Sequence, residues 1–166
     1  MLTQDVRSEG AFEMKSSEVK HPMTPAIQFL KDNDVDFYPH LYRYVERGGT
    51  SVSSKELGLS ESKVIKTLIF EKEDKHPIVM LMHGDKQVSL KELARQIGCK
   101  VITPCLPEVA QRHSGYQVGG TSPFGLRKKM PIYMEATVGD LDEIYINGGG
   151  RGLLVRLRPP DLIRVL

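Results

Sequence analysis

The sequence predicts an α+β fold with a largely antiparallel sheet, and three observations predict it. Helical apolar stripes and strand-like runs are mixed along the 166 residues, without the strict strand–helix alternation of a doubly wound fold. Hairpin-type turns dominate the second half, which favours antiparallel neighbours. Beyond a polar leader, no repeat, low-complexity tract or linker divides the chain, so one domain accounts for it.

Met1 to Pro22 is polar, mixed in charge and without periodicity, and is expected to be a flexible extension to a domain over residues 23–166. Thr24-Pro25 ahead of Ala26, Ile27 and Leu30 reads as an N-cap, a proline at the first helical position and an apolar stripe. That helix should stop near Asn33-Asp34. Phe37 to Val45, rich in aromatic and β-branched residues, reads as a strand. A Gly48-Gly49 loop leads into a short helix from about Ser51 to Leu57, closed by Gly58. Ser60 then caps a further helix running to about Ile65 or Lys66.

Lys66 to Glu71 and Pro77 to His83 are apolar runs joined by the charged turn Glu73-Asp74-Lys75-His76, hence a hairpin. Ser89-x-x-Glu92 is a capping-box pattern that starts a helix carrying Leu90, Leu93, Ala94 and Ile97, ended by Gly98. Pro107 begins a shorter helix through Ala110 and Arg112. Strand-like sequence returns at Val118, Pro131 to Glu135, Glu143 to Asn147 and Leu153 to Leu157, and Pro160-Asp161 opens a brief terminal helix.

Composition excludes several classes. Hydrophobic content of 40% and charged content of 27% are those of an ordinary water-soluble domain. With 23 Lys and Arg against 21 Asp and Glu, the chain is no general nucleic-acid coat, although the run Arg127-Lys128-Lys129 offers one local basic patch. Cys99 and Cys105 lack C-x-x-C spacing, and the five histidines lack an i, i+4 pair, so spacing indicates neither a metal site nor a disulfide framework. No apolar run approaches membrane-spanning length and no signal-peptide core stands at the start, so a cytoplasmic protein without a membrane partner is expected.

Two glycine-dense loops are the strongest local signal: Gly115-Tyr116-Gln117-Val118-Gly119-Gly120-Thr121-Ser122-Pro123-Phe124-Gly125 and Gly148-Gly149-Gly150-Arg151-Gly152. Glycine at this density serves turns or close approach of a ligand to the main chain, and N–H groups of such loops can hold phosphate or carboxyl oxygens. Neither loop is a P-loop or a dinucleotide fingerprint, and either alone reads as a hairpin turn. Lys66 stands where a helix is expected to end and a strand to begin, a place where lysine ordinarily stabilises the last helical carbonyls.

Taken together, Met23-Thr24-Pro25-Ala26, Val64-x-Lys66-Thr67-Leu68, Ala110-Gln111-Arg112, Gly115-Tyr116-x-Val118-Gly119-Gly120-x-Ser122-Pro123-x-Gly125 and Gly148-Gly149-x-Arg151-Gly152-Leu153 resemble the YbaK family. Its members are free-standing relatives of the editing domain inserted in bacterial prolyl-tRNA synthetases. The resemblance runs from about Met23 to the C-terminus, in order. It implies a curved mixed sheet flanked by helices, with the site in a cleft of the sheet.

It also implies trans-editing: hydrolysis of a wrong amino acid from aminoacyl-tRNA, Cys-tRNA(Pro) above all, without a cofactor and with prolyl-tRNA synthetase as an implied partner. The family's essential lysine corresponds to Lys66, followed by Thr67, and the tyrosine after the first helix to Tyr42. The substrate loops correspond to Gly119, Gly120, Ser122, Pro123 and Gly125, and to Gly148, Gly149, Arg151 and Gly152. An aminoacyl ester is already activated, so a lysine and loop N–H groups that position it and stabilise an oxyanion suffice. In the cysteine-editing branch the substrate's own thiol is the nucleophile, and in related branches the terminal ribose hydroxyl assists. Arg127, Lys128 and Lys129 would then hold the acceptor stem.

The chain departs from the family pattern at two places: Leu154 stands where an aspartate follows Arg-Gly-Leu, and Asn147 where a serine precedes Gly-Gly. Leucine removes an anchor for the substrate's α-ammonium group and makes the pocket more apolar, which brings alanine or another small residue into contention with cysteine. A catalytically weak tRNA- or nucleotide-binding module acting with a synthetase is the alternative reading. A phosphate-binding enzyme built on the glycine loops ranks behind both.

Overall fold

The computed structural model describes residues 19–166. Residues 1–18, most of the expected N-terminal extension, lie outside the described residues. Thr24 caps α1 (Pro25–Asp32) as its sequence predicts, accepting from the Ile27 N–H at 3.0 Å, and Ala26, Ile27 and Leu30 are buried. β1 (Tyr38–Leu41) is shorter than the expected run, because the chain after Leu41 leaves the sheet. α2 (Gly49–Leu57) closes on left-handed Gly58.

The helix expected from Ser60 to Lys66 does not form. Glu61–Lys63 is one 3-10 turn, and Val64 already begins β2 (Val64–Lys72). The run from Val64 to Phe70 is dominated by β-branched and large apolar residues that suit a pleated, half-buried surface, and pairing in the sheet overrides the cap signal. Lys66 therefore sits inside a strand, away from any helix terminus.

β3 (Pro77–His83) completes the expected hairpin and is buried along its whole length. Ser89 caps α3 (Leu90–Ile97), but only half of the capping box is made: the Glu92 carboxylate turns to Arg95 and Gln96. β4 (Ile102–Pro104), too short to read from sequence, precedes α4 (Pro107–Ser114). The strand expected at Val118 is a turn, since the glycines beside it close the chain back, with Gly120 N–H donating to Gln117 O at 2.8 Å. β5 (Ile132–Met134), a 3-10 turn at Ala136–Asp140, β6 (Ile144–Gly150), β7 (Leu153–Leu157) and α5 (Pro159–Val165) follow.

The seven strands form one mixed, mostly antiparallel sheet in the order β1-β7-β6-β2-β3-β5, with β4 also on β2. One face packs α1 residues Ala26, Ile27 and Leu30 with Leu162 of α5 and Ala110 of α4 against Ile65, Leu81, Ile146 and Val155. The other face packs Leu93 and Ala94 of α3 against Phe70, Ile78, Met80 and Met82. Truncating a fully buried residue such as Leu30 to alanine would cost about 2–5 kcal/mol, so these two cores fix the sheet on which the site is built.

Candidate active site

The sheet contains a gap. β2 pairs with β3 from Ile65 to Glu71 along one edge. Its other edge meets β6 in parallel at Val64 and Ile65, then β4 at Phe70 to Lys72. Between them, from Lys66 to Ile69, no strand of the described residues adjoins that edge. A cavity of about 620 Å³ opens there, within the size range of small-molecule sites. Its walls include Lys66 and Thr67 from β2, Tyr42 and Tyr44 from the segment after β1, Thr50 and Val52 from α2, Gly119 and Arg151 from the glycine loops, Asn147 from β6 and Leu154 from β7.

The gap exposes polar groups as well as side chains. Ile69 O accepts from Cys105 N–H on this edge at 3.2 Å. Strand alternation of period two therefore turns the main-chain N–H and C=O of Thr67 toward the same side. Thr67 Oγ1 is itself buried and has no hydrogen-bond partner. A buried hydroxyl left unpaired costs about 1–3 kcal/mol, and this one belongs to a residue that lines the cavity.

Lys66 is half-buried, and its Nζ donates a short hydrogen bond to the carbonyl of Lys86. Among the described residues no carboxylate pairs with it, and Lys66 is one of the residues that line the cavity. Tyr42 is anchored by its main-chain N–H to Gly152 O at 2.9 Å, and burial raises its phenol pKa. Leu154 is buried beside Val64 and Tyr145, with Tyr42, Leu57 and Leu59 packed around them. The floor is thus apolar where the family pattern has an aspartate.

The two glycine loops are clamped to each other at the cavity rim. Asn147 Nδ2 donates to Gly119 O at 3.1 Å, while its Oδ1 accepts from Gly149 N–H at 2.7 Å and Gly150 N–H at 3.1 Å. Arg151 Nε donates to Val118 O at 3.0 Å, and its guanidinium lies 4.9 Å over the Tyr44 ring. Gly119 has φ +92°, and a Cβ there would meet the Tyr44 hydroxyl at 2.7 Å. Tyr44 carries no sequence signal beyond being aromatic; its place follows from where the chain goes after β1.

The structure brings together Lys66, Thr67, Tyr42, Gly119, Asn147, Arg151 and Leu154 on one cavity. It does not bring Gly120, Ser122, Pro123, Gly125, Gly148, Gly149 or Gly152 to that surface. Ser122 is fully buried and its Oγ accepts from Phe124 N–H at 3.3 Å. Gly120 packs on the main chain of Gly150 and Arg151, Gly152 on Tyr42 O, and Gly125 on Pro25 O. Gly148 O accepts from Thr24 Oγ1 at 2.5 Å, and Gly149 lies against Tyr116. These residues hold the loops that others present. Arg127, Lys128 and Lys129 are exposed and lie off the cavity wall.

The two cysteines are free. Burial, with a smaller contribution from Glu71, pushes the Cys105 thiol up to about 11, which favours the protonated thiol in the metal-free chain. Among the described residues, no helix is long and apolar enough to cross a membrane.

Residues 49–165 match the aminoacyl-tRNA editing domain. EbsC of Enterococcus faecalis, a candidate Cys-tRNA(Pro)/Cys-tRNA(Cys) deacylase, is 26% identical over 141 residues, which cover 84% of this chain and 86% of that protein. A proline–tRNA ligase of Thermodesulfovibrio yellowstonii is 32% identical over 117 residues, which cover 70% of this chain but only 18% of the ligase. The crystal structure of a candidate trans-editing enzyme for prolyl-tRNA synthetase superposes with a TM-score of 0.76 at 19% identity, covering 85% of this chain and 88% of that one. At that identity the likeness speaks for the fold.

Proposed function

Because this chain belongs to the aminoacyl-tRNA editing domain family, we propose that it acts in trans on misacylated tRNA. It hydrolyses the ester between a small wrong amino acid and the terminal ribose, with Cys-tRNA(Pro) and Ala-tRNA(Pro) as substrates. The observation that carries the proposal is the gap beside β2, where Lys66, the unpartnered Thr67 hydroxyl and both glycine loops share one cavity. The matches to proline–tRNA ligases support tRNA(Pro) as the carrier.

The residues divide the work by chemistry. The Thr67 hydroxyl and edge groups hydrogen-bond the aminoacyl portion within the gap, and Leu154 with Val64 receives a short apolar side chain. The first turn of α2, whose N-cap is Gly48 and so has no side chain to cap it, lines the same cavity and offers main-chain donors to the terminal phosphate. The Lys66 ammonium faces the carbonyl oxygen that becomes negative during attack, and a fixed charge in a half-buried site stabilises that oxyanion well. The ester C–O bond then breaks, water supplies the hydroxyl of the released acid, and the ribose hydroxyl regains its proton.

Incubating the chain with Cys-tRNA(Pro), Ala-tRNA(Pro) and correctly charged Pro-tRNA(Pro) tests this. Release of cysteine or alanine with prolyl-tRNA spared is expected. Hydrolysis of none, with tRNA still bound, would replace the proposal by the binding-module reading.

A further inference from the structure

One other group of side chains converges beyond Lys66 and Thr67 along β2, with Cys105 on the wall of the same cavity. Glu71 near the end of β2, Cys105 in the turn between β4 and α4, and His113 in the last turn of α4 bring their ligand atoms within 4.8 Å of one another. His113 Nε2 lies 2.9 Å from Glu71 Oε1, and these side chains are only 11% and 17% exposed. Spacing in the sequence cannot reveal the set, because its members come from three separate elements.

We propose that Glu71, Cys105 and His113 bind a zinc-type divalent cation that clips α4 to the sheet. The donor set decides the class of metal: sulfur, imidazole nitrogen and one carboxylate suit zinc, whereas magnesium and calcium demand oxygen shells that one carboxylate cannot supply. The charge also closes. A thiolate, a carboxylate and a neutral imidazole together carry two negative charges, which the cation neutralises in a half-buried place; the thiol proton passes to solvent on binding.

The geometry needs little rearrangement. Two ligand atoms on a tetrahedral zinc are separated by about 3.3 Å, so the His113–Glu71 pair has only to open slightly as the bridging proton gives way to the metal. Among the described residues the one lysine or arginine that pairs with Glu71 is Lys75, which is largely exposed and lies 4.0 Å from the other oxygen, Oε2, leaving Oε1 to the site. Cys105 is already fixed by its own N–H to Ile69 O. Because α4 runs directly into the Gly115–Gly125 loop, the clip would hold the root of the cavity's glycine wall.

Cobalt titration of the metal-free full chain is the test, read by the thiolate-to-cobalt charge-transfer band in the near ultraviolet. The site predicts a band saturating at about one equivalent and displaced by zinc. Cys105→Ser should abolish it, Cys99→Ser should leave it, and His113→Gln should weaken cobalt binding by at least about tenfold. Zinc should raise the Tm of the native chain but not that of Cys105→Ser, whose half-buried position tolerates the smaller hydroxyl. No band in the native chain, or a band that survives Cys105→Ser, would overturn the assignment.

Discussion

The glycine loop from Gly119 to Gly125 behaves differently at its two ends. At Gly119 the space a side chain would occupy is filled by the hydroxyl of Tyr44, the movable tip of a side chain on the cavity wall. At Gly125 the same space is filled by the main-chain oxygen of Pro25, 2.6 Å away, at a φ of +64°. One end shapes the cavity wall and the other seats a loop on the first helix. Motif residues, then, are not equivalent: what each faces decides whether its loss is felt in turnover or in folding.

Substitutions on either side can break that division. Lys66→Ala removes the lysine at the gap and should lower the deacylation rate by about 10²–10³-fold, while its lost hydrogen bond to the Lys86 carbonyl should cost only about 1 kcal/mol of stability. A drop in Tm that accounts for the lost activity would contradict the division. Gly125→Ala should do the opposite. Left-handed strain plus the Pro25 contact should cost about 2–4 kcal/mol in denaturant unfolding, while turnover per folded molecule stays native.

Thr67→Val sharpens the comparison, because the hydroxyl is unpaired without substrate. Deacylation should fall roughly tenfold while stability holds or rises by about 1 kcal/mol, a combination that a structural threonine would not give. The smallest effect belongs to the exposed basic run, which faces neither cavity nor core. Replacing Lys128 and Lys129 by alanine should leave Tm and ester hydrolysis at saturation untouched. It should weaken tRNA binding and reduce the slope of log affinity against log salt by about 1–2.

Much of the fold was legible because local chemistry agreed with tertiary structure. Thr24-Pro25, Gly58, Ser89, Gly98 and Pro107 each mark a helix end where the structure has one. Where local signals misled, long-range pairing had won: Ser60 looks like a cap, yet the following strand-forming run is claimed by β3 and β6. Val118 looks like a strand, yet a turn folds it over Arg151. The family pattern pointed to Lys66, Tyr42 and the loops, and of these Lys66, Tyr42, Gly119 and Arg151 meet on one cavity. The gap itself was not legible, because it is a property of register: β6 leaves β2 after Ile65 and β4 arrives only at Phe70. Tyr44 and the Glu71–Cys105–His113 group escaped for the same reason, being assembled by topology alone.

The most direct measurement is an amide chemical-shift titration of the ¹⁵N-labelled chain with a stable amide analogue of 3′-alanyl-adenosine. If the aminoacyl end sits in the gap of the sheet, the largest shifts fall on Thr67 and its strand neighbours, on Gly119 and on Arg151, and Thr67→Val weakens binding. Shifts confined to the Arg127–Lys129 surface, or none in β2, would place the substrate elsewhere and contradict the account.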